Sequence, residues 1–312
     1  VSVVLPVWNG ERFLAEAIDS VIRQTFVSYE LLVVDDGSTD TTRAIALEHA
    51  GRDARIIVID RDHEGIAHAL NAGIEAARGC YVARMDADDV ALPSRLQKQI
   101  AFLDAHPQCV AVGSDLEMMD EEGEGLGAGR FPTRHSAIAD ALMSGSGSLA
   151  HPTVVMRRDA VRAVGGYRHD SFPSEDVDLW MRLSEIGELA NIPEQLLRHR
   201  RHKGSVSLRE RRLQRRRFAA IVDAARARHG LRSLKRGAGW HTNNDAATYH
   251  FDCARIALKS GNRAAALKHT RACISSAPFW PLPYAALAAC VLPGRTLSLA
   301  LRFYARLQTL LV

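Results

Sequence analysis

Residues 1–110 predict an α/β fold, a mostly parallel sheet with flanking helices, and a small helical C-terminal region follows it. Three observations carry this. Short, almost wholly apolar runs recur at residues 1–5, 30–34, 55–59 and 80–85. Segments whose apolar residues return at helical spacing separate them. Polar or acidic clusters stand at the ends of three runs. Apolar strands alternating with amphipathic helices build a parallel sheet covered on both faces.

Taken in order, the opening run with Val3, Val4 and Leu5 is stopped by Pro6. Phe13, Leu14, Ala17, Ile18, Val21 and Ile22 then share one helical face. The second run ends in the polar turn Asp35-Asp36-Gly37-Ser38-Thr39-Asp40, where Ser38 or Thr39 can cap a helix toward His49. After the third run, Ile66, Ala67, Leu70, Ile74 and Ala77 mark another helix. The fourth run is closed by Met85-Asp86-Ala87-Asp88-Asp89, and Pro93 opens the next helix.

Ligands of such sheets bind beyond the carboxyl ends of the strands. Those ends carry Pro6-Val7-Trp8-Asn9, Asp35-Asp36 and the Asp86, Asp88, Asp89 cluster. Clustered carboxylates repel one another unless a cation sits among them. A hard divalent ion held by carboxylates, with positions left for phosphate oxygens, resolves that repulsion and suits a nucleoside diphosphate. No Gly-x-Gly-x-x-Gly follows the first strand, which argues against a nicotinamide or flavin enzyme.

Farther on, the acidic, Gly-rich residues 120–129 read as a mobile loop or a hairpin connection, and residues 144–148 as a second flexible patch. His151-Pro152-Thr153 precedes a short apolar stretch, and Gly165-Gly166-Tyr167 signals a turn. Ser174 is placed to N-cap a helix that opens with Glu175 and Asp176 and points Leu179, Leu183 and Ile186 inward. A first-turn capping role is the other reading of the two acids. Beyond Trp240, residues 246–259, 263–276 and 282–292 read as short helices. Gly261-Asn262 gives the first two the look of a single tetratricopeptide-like hairpin. Residues 297–312 read as a final amphipathic helix, suited to docking on the body, on a second subunit or on a membrane surface.

The 312 residues are 47% hydrophobic and 24% charged, enough for one large domain or two modest ones. Cys80, Cys109, Cys253, Cys273 and Cys290 show neither a disulfide framework nor zinc spacing, which fits a reducing compartment. No secretory signal pattern opens the sequence, no apolar run reaches the length of a membrane helix, and no initiator Met is present. The formal net charge of +4 hides a stripe: residues 198–236 hold fifteen Arg or Lys against Glu210 and Asp223. A solvated helix face, an anionic lipid surface or lipid-linked acceptor, and nucleic acid are the candidate readings. No nucleic-acid-binding motif supports the last.

In order and in combination, these segments resemble the inverting GT-A glycosyltransferases called family 2, of the bacterial cell-surface polysaccharide type, over residues 1–205. Val3-Val4-Leu5-Pro6-Val7-Trp8-Asn9-Gly10, Val33-Val34-Asp35-Asp36-Gly37-Ser38-Thr39-Asp40, Ala83-Arg84-Met85-Asp86-Ala87-Asp88-Asp89 and Glu175-Asp176 carry the resemblance, with Ser20 to Phe26 and Gly65 to Gly73 between them. It implies a GT-A, Rossmann-like sheet and a nucleotide-sugar donor, UDP-linked, bound with Mn²⁺ or Mg²⁺. It implies inverting transfer to a hydroxyl of a glycan or lipid-linked acceptor in envelope polysaccharide synthesis.

Carried onto this sequence, the resemblance gives Pro6 and Val7 backbone contacts to the nucleotide and Trp8, where Tyr is common, the base. Asp36 accepts from the uracil N–H. Asp86 lies by the ribose and metal, Asp88 coordinates the ion, and Asp89 supports it. Asp176 is the catalytic base, its pKa lowered by the helix N-terminus, with Glu175 beside it. Arg201-His202 before Ser205 resembles a late loop closing over the donor, with His202 on the metal or diphosphate; one more basic pair in a basic stretch is the alternative. His151 lines the acceptor side or is a packed, hydrogen-bonded histidine. The expected division is a transferase domain over 1–205 (nucleotide half 1–110, acceptor half 111–205), a basic helical linker over 206–239 and a helical region over 240–312. A cytoplasmic protein, peripheral on the inner face of the membrane, is expected, with homo-oligomers through the C-terminal helices. A sugar nucleotidyltransferase would carry a basic, Gly-rich loop where this chain has Trp8-Asn9-Gly10-Glu11, and a non-catalytic scaffold would rely on the basic and C-terminal helices.

Overall fold

In the computed structural model, which describes residues 1–234 and 245–291, the apolar runs become strands of one nine-stranded sheet. β1 (Ser2–Val7), β2 (Glu30–Asp35), β3 (Ile56–Asp60) and β4 (Tyr81–Arg84) pair in parallel, in the order β3-β2-β1-β4. Crossovers α1 (Leu14–Ile22), α2 (Thr42–Arg52) and α3 (Ile66–Ala76) join them. The chain steps outward from β1 to β3, then crosses back to lay β4 on the far side of β1. The winding reverses between β1 and β4, so a crevice opens beyond their carboxyl ends. Gly73 permits the close seat of α3, since a Cβ there would stand 2.4 Å from a methyl of Val4.

The remaining strands are antiparallel where their register is defined. After β5 (Val90–Ala91) and α4 (Arg95–Ala105) come β6 (Cys109–Met119), β7 (Gly125–Gly129), α5 (His135–Ser144) and a 3-10 turn, His151–Thr153. Then follow β8 (Val155–Arg157), α6 (Arg158–Ala163), α7 (Glu175–Ser184) and β9 (Glu188–Arg200). β8 lies antiparallel between β4 and β6, and β9 runs antiparallel to β5. The parallel half therefore carries the crevice. Residues 120–129 form a hairpin connection, with β7 hydrogen-bonded to β6.

Three local expectations are corrected. α2 starts at Thr42, and Ser38 and Thr39 do not cap it. The Ser38 hydroxyl accepts from the Asn9 amide (2.9 Å) and the Thr39 amide donates to the Asn9 side chain (2.8 Å), so a loop–loop contact outcompetes the cap. Ser174 precedes α7 but makes no capping bond, because its hydroxyl donates to the Gln214 carbonyl (3.2 Å). Ile186 lies past the end of α7 and is 51% exposed rather than inward.

The chain divides into two compact units that do not follow the linear order of the sequence. The first holds residues 1–116, 129–199 and 212–233; the second holds 117–128, 200–211 and the described residues from 234 onward. The division expected at residue 205 fails because Leu126 and Leu208 bury themselves in one apolar cluster with Tyr249, Cys253, Ala257 and Ala265. The basic segment is no linker. After α8 (Val206–Arg209), it forms α9 (Arg211–Arg228), which sits on the first unit: Gln214 donates to the Pro173 carbonyl, and Arg226 to the Met143 carbonyl.

In the second unit α10 (Asp245–Lys259) and α11 (Arg263–Ser276) form the expected helical hairpin, and α12 (Leu282–Val291) packs on both. Gly261 takes φ +78° in the turn, and Asn262 caps α11 through the Ala265 amide. Asp120, fully buried, is met by Lys268 Nζ (2.6 Å) and His269 Nε2 (3.2 Å) and fastens the hairpin tip to α11. The helix expected over 297–312 lies outside the described residues. No described helix is long and apolar enough to cross a membrane.

Candidate active site

The parallel pairing sets Val7 beside Asp35 and Val4 beside Arg84, so the three polar strand ends share one edge. Pro6 and Val7 are buried in β1, and the Val7 carbonyl accepts from the Asp36 amide (2.9 Å). Asn9 sits at φ +49°, a left-handed turn that Asn tolerates, and its side chain ties the loop after β1 to the loop after β2. Trp8 stays 42% exposed and stacks on His63, with ring centroids 4.3 Å apart and planes 18° from parallel. Asp36 is buried. Its carboxylate accepts from the Glu64 amide (3.0 Å), the Gly65 amide (2.9 Å) and lies 3.1 Å from His63 Nδ1. It therefore builds the loop that presents His63, and Gly65, at φ +97°, permits the turn into α3.

At the end of β4, Asp86, Asp88 and Asp89 bring one carboxylate oxygen each within 4.8 Å of one another, the only such group among the described residues. Asp89 is fully buried, and burial pushes its pKa up to about 6, Asp88 and Asp86 adding to the rise and His199 opposing it. His199 Nδ1 lies 3.1 Å from both Asp89 oxygens. The antiparallel match of Val90 with Arg198 brings the two together. Asp86 is ion-paired with the buried Arg84. Three hard oxygen donors crowded at the mouth of a crevice fit Mn²⁺ or Mg²⁺, with Asp86 and Asp88 the more accessible ligands and Asp89 behind them.

The acid pair opens α7. Glu175 is 6% exposed, and its Oε2 has no hydrogen-bond partner among the described residues. Burial, with the neighbouring Asp176 charge second, pushes its pKa up to about 7. Asp176 is half-buried, and its pKa is raised too. The expectation that the helix N-terminus would lower it is corrected: burial outweighs the Val177 amide and Arg84, which act in the other direction. Asp178 is spent on Arg182, at 2.9 and 2.6 Å, and is no rival to the pair.

His151 is part-buried, 2.8 Å from the Tyr167 hydroxyl and edge-on to Trp180 at 5.8 Å. Burial, then Arg84, hold its pKa well below the usual value, so it is a neutral, hydrogen-bonded imidazole. Arg201 and His202 belong to the second unit, where Arg201 pairs with Asp252 (3.4 Å). Sequence reasoning missed His63, His199, Tyr167 and the part played by Arg84. Only Arg84 left a signal, as a charge inside an otherwise apolar strand.

Comparison with known proteins decides the class. The family model described as Glycosyl transferase family 2 matches residues 2–165. The chain belongs to this family. It is a glycosyltransferase. Amylovoran biosynthesis glycosyltransferase AmsE of Erwinia amylovora is 33% identical over 212 residues, 67% of this chain and 79% of that protein. Among solved structures, S. aureus TarS 1-349 in complex with UDP superposes with TM-score 0.57 at 18% identity, covering 95% of this chain and 82% of that one. The Pyrobaculum calidifontis mannosyltransferase PcManGT, in complex with GDP-Man and Mn²⁺, gives TM-score 0.57 at 19% identity, covering 99% and 82%. The family 2 chain thus has the GT-A fold, an α/β sheet with flanking helices and a helical C-terminal region.

Proposed function

We propose that this family 2 enzyme is a metal-dependent inverting transferase that takes a sugar from a nucleoside diphosphate donor, UDP-linked, to a hydroxyl of a glycan or lipid-linked acceptor in envelope polysaccharide synthesis. One observation carries the reading: a metal-fitted carboxylate cluster and a separate buried acid pair occupy one unit, and the charges of Arg84 and Asp86 reach both members of the pair. A reaction that stabilises a leaving diphosphate and deprotonates an attacking hydroxyl needs two such sites.

The exposed Trp8–His63 face receives the base, with Asp36 behind it as acceptor for the base imide and the Pro6–Val7 backbone alongside. A divalent cation on Asp88 and Asp86 would supply positive charge to the departing diphosphate. Asp176, the more exposed of the pair, takes the proton of the acceptor hydroxyl. Glu175 shares charge with it, and neutral His151 with Tyr167 lines the acceptor side. Direct displacement inverts the anomeric centre. AmsE, by its name, serves amylovoran biosynthesis. TarS with UDP and PcManGT with GDP-Man and Mn²⁺ support a nucleotide-bound, metal-assisted site.

The acceptor side adjoins α9, whose Gln214 bonds the Pro173 carbonyl just before the acid pair. α9 exposes Arg212, Leu213, Arg216 and Arg217 on neighbouring turns, a basic face with an apolar centre. Such a face suits the anionic surface that would hold a lipid-linked acceptor. The deciding experiment is a screen of nucleotide sugars for Mn²⁺-dependent hydrolysis, followed by transfer to glycan acceptors. A donor that is cleaved only with metal, and not by Asp88→Asn, supports the reading; no cleavage of any UDP-linked sugar overturns the donor assignment.

A further inference from the structure

We propose that Asn71 is a positioning residue for transfer: its side-chain amide clamps the strap of residues 165–174 to α3, and so sets the place of the acid pair relative to the helix that rises from the His63 loop. The inference rests on reading Asp176 as the base.

The strap leaves α6, bends at Gly165 and Gly166, and runs through a second 3-10 turn, His169–Ser171, into α7, whose first residue is Glu175. Tyr167 is buried in it and lies in neither helix nor strand, so its backbone polar groups need partners from elsewhere. One side chain supplies both. The Tyr167 amide donates to Asn71 Oδ1 (2.8 Å), and Asn71 Nδ2 donates to the Tyr167 carbonyl (2.8 Å). Gly166, at φ +67°, lets the two come this close, since a Cβ there would stand 2.6 Å from Asn71 Oδ1. His68, one turn earlier on α3, sets its ring 5.3 Å from that of His169. The Tyr167 hydroxyl lies 2.8 Å from His151 Nε2, so the tyrosine is held at both ends.

α3 reaches the other way as well. The Glu64 and Gly65 amides that lead into it are held by the Asp36 carboxylate, at 3.0 and 2.9 Å. Asn71 follows Gly65 by about 9 Å of helix rise. From Asp36 to Tyr167 each step is therefore a hydrogen bond or a stretch of helix. The far end of the strap is fixed separately: Gln214 Nε2 donates to the Pro173 carbonyl (3.1 Å), and the Gln214 carbonyl accepts from the Ser174 hydroxyl (3.2 Å). Inside it, the Ser174 amide donates to the Ser171 carbonyl (2.9 Å). The acid pair thus begins where a doubly pinned segment ends, and the Asn71 pin ties that segment to the nucleotide side. Asn71 carries no charge and no proton to exchange, so what it contributes is placement. A misplacement of about 1 Å can lower a rate by about 10²-fold.

The test compares Asn71→Ala, which removes both bonds, with Asn71→Asp, which keeps an acceptor for the Tyr167 amide and loses the donor. Asn71→Ala should lower kcat by about 10–100-fold, while donor KM and affinity for UDP with Mn²⁺ stay near wild type. Asn71→Asp should fall between the two. In an Asp176→Asn background Asn71→Ala should lower the remaining rate no further, because a residue that acts by placing the base has nothing to place once the base is gone. A second readout needs no turnover: amide hydrogen exchange over residues 166–176 should quicken in Asn71→Ala, with the rest of the chain as in wild type. Wild-type kcat in a folded Asn71→Ala overturns the inference. So does an equal further loss in the Asp176→Asn background, which assigns the effect to stability alone. Failure of both Asn71 variants to fold overturns it too, by making the clamp purely structural. If Asp176→Asn turns over like wild type, the reading of the base fails. Quickened exchange confined to 166–176 would then leave the clamp standing, and unchanged exchange would overturn it as well.

Discussion

Trp8 and His63 lie face to face, 4.3 Å between centroids and 18° from parallel, at the open end of β1. The stack joins two loops that are far apart in sequence, and Asp36 fixes its inner edge through His63 Nδ1. A flat aromatic face beside a diphosphate site is a platform for a base. Trp8→Ala should weaken UDP binding by about 1–3 kcal/mol, the range of base–aromatic stacking. His63→Ala should weaken it less and leave the metal requirement intact. Calorimetry with UDP and Mn²⁺ checks both, and unchanged affinity in the Trp8 variant would take the base away from this face.

Asp36 has two tasks to lose. In Asp36→Ala the Glu64 and Gly65 amides have no acceptor, and an unsatisfied buried donor costs about 1–3 kcal/mol. Melting temperature and UDP affinity should therefore fall together. Asp36→Asn keeps one acceptor oxygen and should recover part of the stability. Equal affinity of the wild type for UDP and GDP would remove the uridine assignment.

Asp88→Asn should abolish most Mn²⁺-dependent nucleotide binding and nearly all transfer, and Asp86→Asn should do so to a lesser degree. Burial lifts Asp89 to about 6, and the smaller push that Asp88 and Asp86 add to it is relieved when one of them is neutralised. Asp88→Asn should thus be as stable as wild type, or more so, without metal, whereas Asp86→Asn takes the ion-pair partner from the buried Arg84 and should be less stable. Loss of binding accompanied by unfolding in Asp88→Asn would point to a structural cluster instead.

The basic face of α9 gives a separate prediction. Arg216→Glu/Arg217→Glu should reduce binding to vesicles rich in anionic lipid while leaving UDP–Mn²⁺ affinity unchanged. Wild-type protein that ignores such vesicles at low salt would end the idea, since an electrostatic contact is strongest there.

The parts legible in the sequence were those set by local pattern. Strands buried on both faces read as unbroken apolar runs, and carboxylates at their ends announced the crevice. What escaped depends on long-range partners. Asp89 meets His199 only because β5 and β9 pair, and nothing near either residue signals it. The hydroxyl of Ser174 looked like a cap until Gln214, forty residues on, claimed it. The unit boundary was misread because residues 117–128 and 200–211 join α10 and α11 through Leu126 and Leu208, a contact that linear composition does not encode. The sign of the Asp176 shift turned on burial, which a helix N-terminus in the sequence does not reveal.

The acid pair carries the most consequential prediction. Asp176→Asn should keep the fold and UDP–Mn²⁺ affinity and lose transfer by about 10²–10⁴, the usual cost of removing a general base. Burial raises both carboxyls, so the base is poised nearer neutrality than an exposed Asp, and activity should climb as pH rises toward 7. The same shift has a price in stability, and its sign is fixed. Glu175 is raised from 4.5 to about 7 in the folded protein, so between those values the folded state binds the extra proton. Its contribution then favours folding at low pH and is lost as pH rises through the folded value. Glu175→Gln keeps the shape without the charge, and should stabilise the protein above pH 7 by on the order of 1–2 kcal/mol and flatten the pH dependence of melting below it. Turnover near wild type in Asp176→Asn, with loss in Glu175→Gln, would reverse the two assignments. Turnover in both would move the base off α7 altogether, since Asp178 is already held by Arg182.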